Sequence, residues 1–203
     1  MSPGATFERV YNELKRMLAE GELPPGSPIE PALIGRQIAS SITPIRDALH
    51  RLTGERLVEA PNHNGFRVPL PTEATLRDLY DWNAQLITLA ARRVHSLSGR
   101  PQAADSSQDT DNVAATASLF TEIARASGSA EHMRAVQQLN DRLASFRRLE
   151  EQMLDDIGAE IGLLRRSHID GNRSHLVSLV EHYRRRRVRI VPALLVEIQS
   201  QGR

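Results

Sequence analysis

The sequence contains no cysteine, which excludes disulfides and thiolate metal sites and fits a reducing compartment. It contains no run of about 18 apolar residues, the minimum for a membrane-spanning helix, and no basic-then-apolar leader, so a cytoplasmic protein is expected. Bulky rings are scarce, with four Phe, three Tyr and one Trp, while Ala, Leu and Arg abound and proline gathers in the first third. That balance favours a mostly helical fold. Charge of one sign is also missing: the net charge is +1, and residues 1–72 carry eight Lys/Arg against eight Asp/Glu. A nucleic-acid face must therefore come from the placement of charge, not its excess, with Glu13, Glu20, Glu22, Glu55 and Glu59 held away from phosphates. No nucleophile, base and acid stand at meaningful spacing, and no glycine loop could cradle a phosphate, so an enzyme is not expected. The 203 residues are enough for two modest domains, each with its own core.

What the sequence does hold is concentrated in Ala39 to Leu52. A short polar turn runs into a helix whose first turn holds Thr43, Pro44 and Arg46. Ile45, Leu49 and Leu52 fall on one face and pack inward, leaving Thr43, Arg46 and His50 to point outward. This is the layout of a recognition helix, which reads base edges with its N-terminal residues. Glu30 to Ile38 supplies the preceding scaffold helix. Downstream, Leu57 to Ala60 and Phe66 to Val68 bracket the turn Pro61-Asn62-His63-Asn64-Gly65, an expected hairpin wing.

The expected organisation is a winged helix-turn-helix over 1–70 and an all-α bundle over 73–203. A first helix spans about Ala5 to Glu20 and ends at Gly21, before the rigid Pro24-Pro25-Gly26 turn. Pro69 and Pro71 mark a linker. Ala74 to Leu97 then reads as a long helix, with Leu76, Leu79, Tyr80, Asn83, Leu86, Ile87 and Ala90 recurring at three and four. Ser98 to Asp111 has almost nothing to bury and reads as a mobile loop. Helices resume over Asn112–Ala126, over Glu131 to about Gly158 with a continuation to Ser167, and over Asn172 to about Gln199, interrupted or kinked at Pro192.

Three segments in order, Gly21 to Ile29, Ser41 to Leu49 and Asn62 to Val68, resemble the GntR family of bacterial transcription factors; the remainder resembles, more weakly, the helical effector-binding half of its FadR branch. The resemblance implies a homodimer that binds a palindromic double-stranded DNA operator under small-molecule control, with repression the commoner family outcome. The family usually places an arginine where Ile42 stands, which removes the commonest guanine contact, and a glycine where Ala39 stands, so either the turn adjusts or Ala39 bears strain. The branch's metal ligands, one Asp and three His, fall on Thr116, Phe120, Ile161 and His182. Three are lost, so no metal cofactor is expected. The branch's inward Arg and Glu become Asn83 and Ile87. The cavity thus turns apolar at Ile87, Phe120 and Ile161: it is filled by side chains, or it takes an apolar effector with Asn83, Thr116 and His182 as sparse polar contacts. A short helix of the branch is replaced by the 98–111 loop, which could leave one side of the pocket open.

The candidate DNA-binding residues are Arg36, Ser41, Ile42, Thr43, Arg46, Arg51, His63, Asn64, Gly65 and Arg67. Thr43 and Arg46 are expected to read or clamp DNA, against capping and surface charge as the plain alternative. Arg36, Arg51 and Arg67 suit phosphates, and His63 and Asn64 the minor groove or turn chemistry alone. A zinc or nickel site from His168, Asp170, His175 and His182 is poorly spaced, and a core or pocket histidine suits His182 better. Arg184 to Arg187, with Arg189, spread around a helix and suit a solvated or salt-bridged face, or acids of the other domain or a second subunit. Trp82 suits a pocket wall or, better, a dimer anchor. Two other readings stay open. One is a ligand-independent dimeric DNA-binding protein whose pocket has closed; the other is a small-molecule binder whose helix-turn-helix has decayed.

Overall fold

Apolar residues at three- and four-residue intervals build α1 (Pro3–Ala19), which buries Val10, Tyr11, Leu14, Met17 and Leu18. The computed structural model describes residues 3–61, 65–93 and 111–201. After α1 come β1 (Pro28–Ile29), α2 (Pro31–Gln37), α3 (Ile42–Gly54) and β2 (Phe66–Arg67). Pro31 stands at the start of α2, where its missing N–H costs nothing. From α3, Ile45, Ala48, Leu49 and Leu52 enter one core with the α1 face, Ile34, Val58, Phe66 and Val68.

The wing differs from a simple hairpin. β2 pairs antiparallel with β1, Pro28 opposite Arg67 and Ile29 opposite Phe66, while Glu59 bridges to Arg67 from the other side. Phe66–Arg67 is thus flanked on both edges. The β1 partner was hidden inside a segment whose prolines read as turn. Pro28 fits because it lies on an edge strand, where a missing donor is tolerated.

α2 closes through a tight exit: the Ser40 N–H donates to the Gly35 carbonyl at 2.9 Å and the Ile38 N–H to the Ile34 carbonyl at 3.0 Å. Ala39 sits at φ 50, so the backbone bears the strain of a position that favours glycine. The chain comes so close that a Cβ on Gly35 would lie 2.8 Å from the Ser40 carbonyl oxygen. From α1, the Arg9 guanidinium donates to the Ile38 carbonyl at 3.0 Å and the Ala39 carbonyl at 3.4 Å, meeting acceptors that the end of the helix leaves open.

The remaining elements are α4 (Glu73–Arg93), α5 (Asn112–Ala126), α6 (Ala130–Glu150), α7 (Ile157–Ile169) and α8 (Arg173–Gln201). The Asp111 carboxylate caps α5, accepting from the Val113 and Ala114 N–H groups at 2.9 and 3.2 Å. The loop expected over Ser98 to Asp111 lies, apart from Asp111, outside the described residues, as does the end of the helix expected to reach Leu97. The continuous helix expected beyond Glu131 is broken instead. Its last turn tightens as the Met153 and Leu154 N–H groups both donate to the Glu150 carbonyl, and Asp156 at φ 58 resets direction before α7. No interruption occurs at Pro192, which α8 carries inside the helix. Its exposed position lets water meet the carbonyl that it leaves without a donor.

The chain divides into two compact units. One comprises Met1–Thr72, Asp141–Arg148 and Leu195–Arg203; the other comprises Glu73–Asn140 and Leu149–Leu194. Among the described residues, no helix is long and apolar enough to cross a membrane.

The α2 exit makes two substitutions act in opposite directions. Gly35→Ala should lower unfolding free energy by about 1–3 kcal/mol through overpacking, and Ala39→Gly should raise it by up to about 1 kcal/mol by relieving strain. Urea denaturation monitored by circular dichroism checks both signs.

Candidate nucleic-acid interface

α3 presents two unlike faces. Ile45, Ala48, Leu49 and Leu52 are fully buried, which turns Ile42, Thr43, Arg46 and His50 outward. Ser41 occupies the cap position with extended backbone, and its hydroxyl makes no capping bond. That leaves the hydroxyl and the first-turn N–H groups to an incoming phosphate or base edge. Ile42 is 48% exposed, an apolar contact suited to a thymine methyl. His50 is more committed than its exposure suggests, with its ring edge-on to Phe66 of β2 at 5.0 Å.

The balanced charge of this unit is sorted by pairing. Arg16 gathers Glu13 at 2.7 Å, Glu22 at 2.6 Å and also Glu20 on α1 and the turn after it. Glu55 accepts the Tyr11 hydroxyl at 2.8 Å. Burial, reinforced by that carboxylate, pushes the Tyr11 pKa above the ordinary phenol value. Arg51 does not stand free for phosphate: it lies 4.0 Å from the centre of the Tyr11 ring and 3.3 Å from both Glu8 and Glu55. Arg67 lies 3.7 Å from Glu59, and Gly65 is exposed at φ 81. Arg36 and Arg46 are exposed, and neither forms an ion pair with another described residue. His63 and Asn64 lie outside the described residues. The unit therefore offers two cations without an ion-pair partner among the described residues, Arg36 in the last turn of α2 and Arg46 in α3, while most of its acids are occupied elsewhere.

In the helical unit, Asn83, Ile87, Thr116, Phe120 and Ile161 are all buried. His182 is not with them: its side chain is 60% exposed. The buried stripe of α8 runs Leu176, Val180, Tyr183, Arg187 and Val191, and His182 is rotated about 100° from it by helical geometry. The inward histidines are His132, whose Nε2 lies 2.8 Å from the Leu86 carbonyl and donates to it, and His168. Burial holds the His168 pKa below the ordinary value; Glu122, 3.9 Å away, partly offsets this, and Arg165 adds to it.

Of the solvated or salt-bridged face expected for the arginine run, Arg187 takes the salt-bridged form, and does so in the core. It is 1% exposed, donating from Nε to Glu150 at 2.9 Å and from Nη1 to Glu160 at 2.5 Å, with its guanidinium 3.6 Å from the centre of the Tyr183 ring. Burial works against the charge, but Tyr183, Glu150 and Glu160 outweigh it and hold the pKa above the usual arginine value. The Tyr80 hydroxyl donates to the other Glu150 oxygen at 2.7 Å, so one network ties α4, the end of α6, α7 and α8. Arg184 pairs with Asp81 at 2.8 Å and Glu181 at 2.7 Å. Nothing local distinguishes Arg187 from its three basic neighbours except its place in the apolar stripe, and that spacing was the available signal.

The branch's metal donor set does not fit here. Phe120 and Ile161 offer no donor atom, the Thr116 hydroxyl donates to the Asn112 carbonyl at 2.7 Å, and His182 faces outward. The alternative set fails too, because His168 is buried while Asp170, His175 and His182 are exposed. The Asn83 amide differs again: it is 1% exposed, and neither polar atom has a hydrogen-bond partner among the described residues.

Residues 6–68 match the family described as "Bacterial regulatory proteins, gntR family". The HTH-type transcriptional repressor GlaR of Escherichia coli (strain K12) is 33% identical over 87 residues, covering 41% of this chain and 40% of that protein. The uncharacterized HTH-type transcriptional regulator YdhC of Bacillus subtilis (strain 168) is 29% identical over 92 residues, 45% and 41% of the two chains. The chain thus spans about two fifths of the length of these relatives. Two solved structures share the fold across nearly the whole chain. E. coli McbR/YncC has a TM-score of 0.66 at 19% identity, covering 93% of this chain and 97% of that one. A putative transcriptional regulator GntR from Rhodococcus sp. RHA1 has a TM-score of 0.70 at 15% identity, covering 93% and 98%.

His168 gives stability a pH dependence of known sign. Its folded pKa lies below the unfolded value of about 6.5, so protons favour the unfolded chain. The contribution is complete above about pH 6.5 and shrinks as pH falls toward the folded value. Urea midpoints at pH 7.5 and 5.5 should differ less in His168→Gln than in the parent protein.

Proposed function

Because residues 6–68 form a winged helix-turn-helix domain of the GntR family, we propose that this protein is a sequence-specific transcriptional regulator, a repressor by likeness to GlaR, that acts in the cytoplasm as a homodimer on a palindromic operator. The observation that carries this reading is the outward face of α3. Thr43, Ile42 and the unpaired Arg46 stand over the first turn, with Arg36 on the preceding helix. In a dimer the two α3 helices would enter successive major grooves about 34–36 Å apart for half-sites one turn apart. Ser41, Arg36 and Arg67 serve phosphates, and His63 and Asn64 are assigned to the minor groove by their place in the sequence. Arg51, on α3, supports the reading head by packing against Tyr11 of α1, and contributes charge at a distance.

Control by a small molecule fits the helical unit, where the Asn83 amide is buried without a hydrogen-bond partner among the described residues and Ile87, Thr116, Phe120 and Ile161 are buried as well. An effector that takes this amide would be largely apolar with one polar edge. For regulation, it must bind one arrangement of the helical unit better than another. A second reading, ligand-independent DNA binding with a closed pocket, draws on Phe120, which is fully buried with its ring edge-on to Tyr183 at 5.2 Å. Native mass spectrometry separates the two: a retained organic mass supports the effector, and the bare chain mass supports the closed core or a weak ligand.

Arg46→Ala should weaken binding to an operator selected from random-sequence DNA by about five- to 150-fold, the equivalent of roughly 1–3 kcal/mol for a good base contact. Fluorescence anisotropy at two salt concentrations checks this, and unchanged affinity removes Arg46 from the reading set. Zinc and nickel should leave the melting temperature unchanged at concentrations that would saturate a specific site; a shift of several degrees would restore a metal to the helical unit.

A further inference from the structure

Thr75, Asp78, Trp82, Gln85, Leu89 and Arg92 follow one another along α4 at intervals of three and four, and all six are exposed. This alternation is the spacing of a seam between two packed helices. The opposite face already serves the core through Leu76, Tyr80, Asn83, Ile87 and Ala90. At the middle of the seam Trp82 is 50% exposed and Leu89 48%. Asp78 and Arg92 bracket them, and neither forms an ion pair with another described residue.

The order along the stripe is acid, tryptophan, glutamine, leucine, base. Turned end over end, it reads base, leucine, glutamine, tryptophan, acid. The stripe is therefore its own complement under a two-fold axis near Gln85, the condition for an isologous contact. A copy laid antiparallel sets Trp82 against the partner's Leu89 and Asp78 against the partner's Arg92, and each contact occurs twice. A parallel copy would set Asp78 against the partner's Asp78 and Arg92 against the partner's Arg92, so the charges select the antiparallel arrangement.

We propose that a second copy of this chain docks antiparallel on this stripe of α4, with Trp82 as the anchor. The proposal rests on the homodimer in the functional reading above and supplies its surface and register. Trp82 brings the large apolar area that dominates interface energetics, while Asp78 and Arg92 set orientation and register more than affinity.

Sedimentation equilibrium of the full chain tests it. Trp82→Glu should raise the dimer dissociation constant by about 100-fold or more, the scale of an interface hot spot, with helicity by circular dichroism unchanged. Asp78→Arg and Arg92→Asp should each weaken the dimer by about three- to tenfold, and the double variant Asp78→Arg/Arg92→Asp should return it to the parent value. If Trp82→Glu dimerises as tightly as a dimeric parent protein, this face is not the interface, although the dimer stands. If the double variant stays as weak as the singles, the antiparallel register is wrong. A parent chain that remains monomeric at tens of micromolar removes the dimer reading and this surface together.

Discussion

Where the Gly35 carbonyl takes the Ser40 N–H, α2 closes and α3 sets out in a new direction. Five residues make this exit, and they leave almost no slack. Gly35 is small because the Ser40 carbonyl is already in the space of a Cβ, and Ala39 accepts a left-handed backbone to bring Ser40 round. Arg9 reaches in from α1 to meet the carbonyls of Ile38 and Ala39. The outward set of Ile42, Thr43 and Arg46 follows from this bend, because rotating α3 enough to bury any of them would withdraw Ile45 and Leu49 from the core.

Electrostatics in the N-terminal unit is a matter of allocation. A neutral total says little about a DNA-binding surface when Arg16 holds three glutamates and Arg51 shares Glu8 and Glu55 with the Tyr11 ring. Such exposed pairs contribute little to stability. Their effect is to leave Arg36 on α2 and Arg46 on α3 as positive charges without an ion-pair partner among the described residues. The division of labour separates Arg51 from Arg46: five positions apart on one helix, one supports the scaffold and the other faces solvent.

The outward face of α3 was legible because its determinants are local. Ile45, Leu49 and Leu52 declare the buried face within three helical turns, so Thr43 and Arg46 must lie opposite. The strain at Ala39 was visible for the same reason, as one residue at a position that wants glycine. What escaped the sequence depends on partners far along the chain. The Pro28–Ile29 strand exists because Phe66–Arg67 pairs with it, and Arg9 finds its acceptors some thirty residues away. The core of the helical unit falls between these cases. Asn83 was placed correctly by the stripe it shares with Tyr80 and Ile87. The same test applied to α7 and α8 would have put His168 and Arg187 inside and His182 outside. A basic run draws attention to its charge, and the periodicity passing through one of its members is easily missed.

Arg187 gives the helical unit a cation that is part of the polymer. Glu150 and Glu160 belong to different helices, and their charges must be neutralised when they are brought together away from water. A counter-ion attached by covalent bonds has no dissociation constant. Chelation and dilution cannot remove it, a competing ion cannot displace it, and its supply does not vary with the growth medium. The cohesion of the three helices that meet at this guanidinium, and of α4 joined to them through Tyr80 and Glu150, is therefore constitutive, set once at translation.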